Sequence, residues 1–284
     1  MASRERREHT TSEQPATTAT HDDEHLLRVA VAAARAGAEA IREMTPGRAT
    51  LSWEEKSPSD FVSAVDRASE ERIAATLGEH LPDARLVGEE GSPDLDRLAN
   101  GVVVVADPLD GTTNFLHGFP AYAVSVGVLV DGSLRAGAIL DVTRDEIFTA
   151  VAGGGAWCDG APIRVSSIDV PARALIGTGF PFKHVELIEP YMKQLPGIMA
   201  ATSGVRRAGA AALDLAAVAC GRFEAFWELM LQPWDLAAGL LLVREAGGVA
   251  TDLSGAPARV AAGPLVTGNP AIHRWLLDHL TRTA

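Results

Sequence analysis

Apolar positions change their period twice along this chain. Leu27, Val31, Ala34, Ala38 and Ile41 recur at spacings of four and three, which predicts an amphipathic helix that stops near Pro46-Gly47. A second helix is predicted from about Ala64 to Leu81, ended by Pro82. The period then shortens. Ala84–Val87 and Val102–Ala106 are short apolar runs that read as buried strands. Val124–Val130, Arg135–Asp141 and Glu146–Ala152 are strand-like and punctuated by Asp131-Gly132, Gly153-Gly154-Gly155 and Asp159-Gly160, so an antiparallel meander is expected there. A strand (Ala174–Gly177), a helix (about Ala211–Cys220), a strand (Arg222–Trp227) and a helix (Trp234–Ala246, closed by Gly247-Gly248) follow. The last helix carries its own start signal, Asn269 as N-cap and Pro270 in the first turn, with Ile272, Leu276 and Leu280 on one face. Helices and mostly antiparallel strands in blocks argue for a layered α+β sandwich.

Residues 1–23 hold only Met1, Ala2, Ala16 and Ala19 as apolar side chains and are read as a disordered tail; residues 24–284 are then read as one folded domain. No run approaches 18 apolar residues, and no apolar stretch follows the charged start, so neither a membrane span nor a secretory leader is expected. Two cysteines, Cys158 and Cys220, are too few for a disulfide scaffold; they are read as buried small side chains in a reducing cytoplasm. The net charge of −12 disfavours a nucleic-acid partner. It leaves small phosphorylated substrates open, provided cations gather first.

The strongest chemical signal is Asp107-Pro108-Leu109-Asp110-Gly111-Thr112-Thr113, directly after an apolar strand. Two carboxylates leave a strand end, Pro108 stiffens the link, and Gly111 allows a sharp turn. The amides of Gly111, Thr112 and Thr113 are then placed to face one space, as a phosphate requires. Oxygen ligands beside such a nest suit Mg²⁺, which takes few carboxylates plus water and substrate oxygens. A plain turn would explain Asp-Gly alone, but the longer pattern arises by chance roughly once in 10⁶ positions. Other signals are weaker taken singly. Glu89-Glu90 follows a strand through Gly88. Asp235 lies in the first turn of a helix, and Glu228 is placed at the end of an apolar strand. Ser63-x-x-Asp66 reads as a capping box, Asp60 and Lys56 as a local ion pair, and His117 as structural or solvent-facing.

Taken together, Lys56…Asp60…Asp66, Gly88-Glu89-Glu90, Asp107 to Phe115 and Trp234 to Gly239 resemble the inositol monophosphatase family of magnesium-dependent, lithium-sensitive phosphomonoesterases, from about Glu24 to the end. The resemblance implies a five-layered αβαβα sandwich and two or three Mg²⁺. Glu89, Asp107 and the Leu109 carbonyl are implied as ligands of a first ion, Asp107, Asp110 and Asp235 of a second, with a third near Glu89. Asp66 and Thr112 are implied to orient and deprotonate water, with Glu89 beside them as a catalytic carboxylate. Substrate contacts are implied at Asp110, Gly111, Thr112, Thr113, Glu228 and the backbone around Ala211. The expected substrate is a small phosphorylated polyol, myo-inositol monophosphate first, with histidinol phosphate, fructose 1,6-bisphosphate and adenosine bisphosphate as alternatives; a non-catalytic regulator on the same fold ranks lower. No nucleic acid or membrane partner is expected, and a homodimer is allowed. One departure stands out: Gly209-Ala210-Ala211-Ala212 replaces a pattern that often has Ser or Thr at position 210.

Overall fold

The computed structural model describes residues 22–57, 60–91 and 98–283, with the side chains of 56–62 outside that description. The expected tail therefore lies outside the described residues, except that Asp22 caps and Asp23 opens the first helix. The expected Lys56–Asp60 ion pair also lies outside them.

Five layers are stacked. Helices α1 (Asp23–Met44) and α2 (Ala64–His80) pack together and cover one face of a seven-stranded sheet. The buried stripe of α1 runs through Leu26, Val29, Ala30, Ala33, Ala34, Ala38 and Ile41, so the expected Ala34, Ala38 and Ile41 are buried while Leu27 and Val31 lie half-buried along its edge. The sheet contains β3 (Arg85–Gly88), β4 (Val102–Asp110), β5 (Ala123–Val130), β6 (Ser133–Asp141), β7 (Glu146–Val151), β8 (Gly155–Cys158) and β9 (Ala161–Pro162), in that order, following a small hairpin of β1 (Trp53–Ser57) and β2 (Asp60–Ser63). Only β3 and β4 run parallel; the rest is the expected meander. A short helix, α3 (Thr112–His117), leaves the end of β4.

The middle layer is α5 (Ala211–Ala219) and α6 (Pro233–Glu245), both largely apolar and packed between the two sheets. The second sheet has the order β11 (Gly204–Arg206), β10 (Leu175–Thr178), β12 (Ala225–Leu231), β14 (Gly263–Gly268), β13 (Val249–Thr251). Its outer face is covered by α4 (Ile188–Ala201) and α7 (Pro270–Arg282). Asn269 caps α7 as expected, accepting from the amides of Ala271 and Ile272.

Three local expectations need correction. Strand β4 does not stop at Ala106 but continues to Asp110, and β12 begins at Ala225 and runs to Leu231, so Glu228 sits inside the strand. The cysteines are half-buried rather than buried, and both are free thiols. His117 is exposed and meets Trp53 edge-on, in keeping with a surface role.

Candidate active site

The motif after β4 is positioned by a bulge. Opposite β5, Asp107 pairs with Ser125 and Asp110 with Ala123, so β4 carries one residue too many between them. In a regular strand, residues three apart face opposite sides; one extra residue restores them to the same side. Pro108 suits the bulge because it has no N–H to place in a ladder. Asp107 accepts from the Leu109 amide at 3.0 Å, which turns that amide inward. Gly111 follows at φ +94°, and a Cβ there would lie 2.8 Å from the Ala121 carbonyl. Only glycine fits both the angle and the space.

Parallel register brings in the next acid. Gly88 of β3 lies opposite Ala106 of β4, so Glu89 emerges beside Asp107. Asp235 arrives from the first turn of α6, where it accepts from the Gln232 amide at 2.7 Å in a capping box. Asp110 reaches across to α5 and accepts from the amides of Ala211 and Ala212 at 3.2 and 2.8 Å. It does the capping that Ala210, at the N-cap, has no side chain for. The Ala211 amide, expected to face substrate, is therefore already committed to Asp110.

These groups line one cleft of about 730 Å³. Glu89, Asp107, Leu109, Asp110, Gly111, Thr112, Thr113, Ala211, Glu228 and Asp235 are all on its wall. Asp66 is not; it is 1% exposed and lies behind Thr112. The Thr112 hydroxyl donates toward Asp66 Oδ1 at 2.8 Å and toward the Leu109 carbonyl at 3.1 Å. Asp66 Oδ2 accepts from both the amide and the hydroxyl of Ser63, at 2.8 and 2.7 Å, in the expected capping box. The buried Ser69 hydroxyl donates to the Pro108 carbonyl at 2.6 Å and anchors the bulge to α2. Asn114 holds the far side through the carbonyls of Ala121, Ala208 and Gly209.

The electrostatics are strained in one direction. Burial, and then the negative charges of Glu89, Asp110 and Asp235, push Asp107 well above the usual carboxylate range. Burial raises Asp110 to about 6 despite its helix amides, and burial and Asp110 raise Asp235 to about 8. The Lys183 charge near Asp235 offsets only part of the cost of burying these carboxylates, and a bound cation would relieve the rest. Among the described residues, no three acidic, His or Cys side chains are drawn together tightly enough to cage an ion by themselves. The donor set of carboxylates and one carbonyl on an open cleft suits Mg²⁺, which completes its shell with water and substrate oxygens.

Sequence reasoning gave no role to several other residues on the wall. Thr178, Phe180, Phe182, Lys183, Arg207 and Asp214 all line the cleft. The Arg207 guanidinium sits over the rings of Phe180 and Phe182, 5.6 and 5.0 Å from their centroids. A readable signal existed for Asp214 alone: it is a single carboxylate on the apolar face of α5, among Ala212, Leu215, Ala216 and Val218.

The architecture is a five-layered α+β sandwich with an acid-lined cleft at the end of β4. The chain belongs to the inositol monophosphatase family, whose description matches residues 22–283. It is 42% identical to the Nus factor SuhB of Pseudomonas aeruginosa, over 89% of this chain and 94% of that protein. It is 41% identical to the inositol-1-monophosphatase of Rhizobium meliloti, over 80% and 85%. Among solved structures, the extragenic suppressor protein suhB of Bartonella henselae superposes with a TM-score of 0.86 at 38% identity, covering 91% of this chain and 99% of that one. These likenesses agree with the expected sandwich. No described helix is long and apolar enough to cross a membrane.

Proposed function

We propose that this chain is a Mg²⁺-dependent phosphomonoesterase acting on a small polyol phosphate, with myo-inositol monophosphate the first candidate. The observation that carries the proposal is the meeting of Asp107, Asp110, Asp235 and Glu89 in one cleft beside the Thr112–Asp66 pair. Family membership supports phosphate-ester chemistry, and one relative is named an inositol-1-monophosphatase.

Glu89, Asp107 and the Leu109 carbonyl would hold one ion, and Asp107, Asp110 and Asp235 a second; a third is assigned near Glu89. Bound Mg²⁺ supplies positive charge for the phosphoryl group and acidifies water. The chain's own residues do the positioning. Thr112 points its proton at Asp66 and Leu109, which leaves its oxygen lone pairs to accept from a water in the cleft. Asp66 Oδ1 is then the site that takes the proton through Thr112, while Ser63 fixes Oδ2 and prevents rotation. The first-turn amides of α3 face the phosphoryl oxygens, and Glu228 takes a hydroxyl of the substrate. Glu228 is seated against Gly179, where a Cβ would come within 1.9 Å of its carboxylate. Positioning and charge carry most of the rate in phosphoryl transfer, so no covalent nucleophile is needed.

The residue after Thr112 supports the inositol branch over the alternatives. Thr113 stands where branches acting on histidinol phosphate or adenosine bisphosphate more often carry a Lys or Arg. A cytoplasmic location belongs to the same proposal, supported by two cysteines kept as thiols. Relatives named Nus factors support a second reading, in which the fold serves an assembly and turnover is secondary. That reading also bears on the absence of a nucleic-acid partner, which rests on net charge alone. Phosphate release from inositol 1-phosphate, histidinol phosphate, fructose 1,6-bisphosphate and adenosine 3′,5′-bisphosphate, with Mg²⁺ and with chelator, tests the proposal. Mg²⁺-dependent release, fastest from inositol 1-phosphate, is expected; no release from any ester would leave the assembly reading standing.

A further inference from the structure

The departure at position 210 has a structural counterpart one turn along α5. Ala210 is buried at the N-cap and offers no hydroxyl to the cleft. Asp214 lies four residues on, with its amide donating to the Ala210 carbonyl at 3.1 Å. Helical side chains lean toward the N-terminus, so the Asp214 carboxylate is directed back over the first turn, toward the space above Ala210. It is 3% exposed, yet it lines the cleft. Among the described residues nothing donates a hydrogen bond to it, and no cation pairs with it within 4 Å. Arg207 is in electrostatic reach but lies over the two phenylalanine rings instead. Its neighbours on the helix are apolar.

A carboxylate kept in such surroundings without donors is costly, and nothing in the packing of α5 requires it. Alanine or leucine would serve the helix better. The donors it lacks are what a polyol carries.

We infer that Asp214 is a specificity-determining residue of the cleft, accepting a hydroxyl of the polyol phosphate in place of the group that Ala210 lacks. The inference rests on the phosphatase reading and extends it: with Glu228 on β12, Asp214 gives the cleft two carboxylates for hydroxyls, separate from those assigned to metal. A hydroxyl-rich leaving group is therefore favoured over a flat or apolar one.

Steady-state kinetics of wild type, Asp214→Ala and Asp214→Asn with Mg²⁺ separate the two ideas. The substrates are myo-inositol 1-phosphate and p-nitrophenyl phosphate, whose leaving group carries no further hydroxyl. For Asp214→Ala, KM for inositol 1-phosphate rises about tenfold or more, as loss of a charged hydrogen bond implies. Its kcat/KM for p-nitrophenyl phosphate stays within about twofold of wild type. Asp214→Asn, of nearly the same shape, keeps one acceptor and raises KM for inositol 1-phosphate by less, so it reads the effect even where the alanine variant folds poorly. Equal losses on both esters, or no loss on either, would overturn the assignment of Asp214 while leaving the phosphatase reading intact. A wild-type protein inert toward both esters would overturn both.

Discussion

Replacing Asp110 by Asn poses a sharp test because it sets two effects of known sign against each other. Asp110 is buried at the bulge, and its pKa rises from 3.8 to about 6. That gap is worth about 3 kcal/mol against the ionised form in the metal-free fold. The folded state holds this proton more tightly than the unfolded chain does. The corresponding stability is therefore present below about pH 4 and lost as pH rises through about 6. Asn removes the penalty. It keeps one oxygen for the amides of Ala211 and Ala212 but turns an NH₂ toward the other, a cost of about 1 kcal/mol. The metal-free variant should thus be more stable than wild type by about 2 kcal/mol at pH 7.5, or about 4–8 °C in Tm for a domain of this size. The advantage should vanish by pH 4. Saturating Mg²⁺ should reverse the order, because wild type gains binding free energy that the variant has lost, and turnover should be abolished in the variant. The assay is thermal and urea denaturation in chelator at pH 4, 6 and 7.5, repeated with Mg²⁺. A variant less stable than wild type in chelator at pH 7.5 would refute the claim that Asp110 is held at an electrostatic cost.

Other residues give simpler expectations. Thr112→Val keeps the shape of α3 and removes the hydroxyl donated to the buried Asp66; kcat should fall about 10²–10⁴-fold beside a stability loss of about 1–3 kcal/mol that leaves the protein folded, and a wild-type kcat would remove Thr112 from the reaction. Ser69→Ala leaves the buried Pro108 carbonyl without its donor and should cost about 1–3 kcal/mol in urea denaturation; a change below about 0.3 kcal/mol would show that the bulge does not depend on α2. Gly179→Ala drives a methyl into the Glu228 carboxylate and should raise KM for inositol 1-phosphate more than it lowers kcat, as measured in the same kinetic assay.

What could be read from the chain divides along physical lines. Elements whose instructions are local were legible: the Ser63–Asp66 box, the Asn269-Pro270 start of α7, and the continuous apolar strands of the large sheet. Elements whose stability is borrowed from neighbours were not. Helix α4 holds Pro190 in its first turn and Pro196 in its interior, and it leaves Ile188, Met192 and Met199 exposed, so neither its breakers nor its periodicity announces a helix. Strands β11 and β13 are three residues long and exist because longer partners present edges to them. The bulge in β4 was invisible because Pro108 reads as an end to a strand, whereas Asp110 regains pairing beyond it. In the cleft, the acidic residues were legible as types in a pattern. Their shared pocket depends on the parallel register of β3 with β4 and on α6 crossing the sheet, which no local spacing records. Asp214 stands out as a lone carboxylate on an apolar helix face, but no local spacing shows that this face borders the cleft.

The central claim is that carboxylates just after β3, on β4 and in the first turn of α6 form a pocket completed by divalent ions. Calorimetric titration of chelator-treated protein with Mn²⁺ near pH 6.5, in buffers of different ionisation enthalpy, tests it most directly. The account predicts at least two ions per chain and net proton release on binding, because the raised carboxylates must give up their protons, with at least one fewer ion in Asp235→Asn. No binding, or the same stoichiometry and no proton release in the variant and the wild type alike, would contradict it.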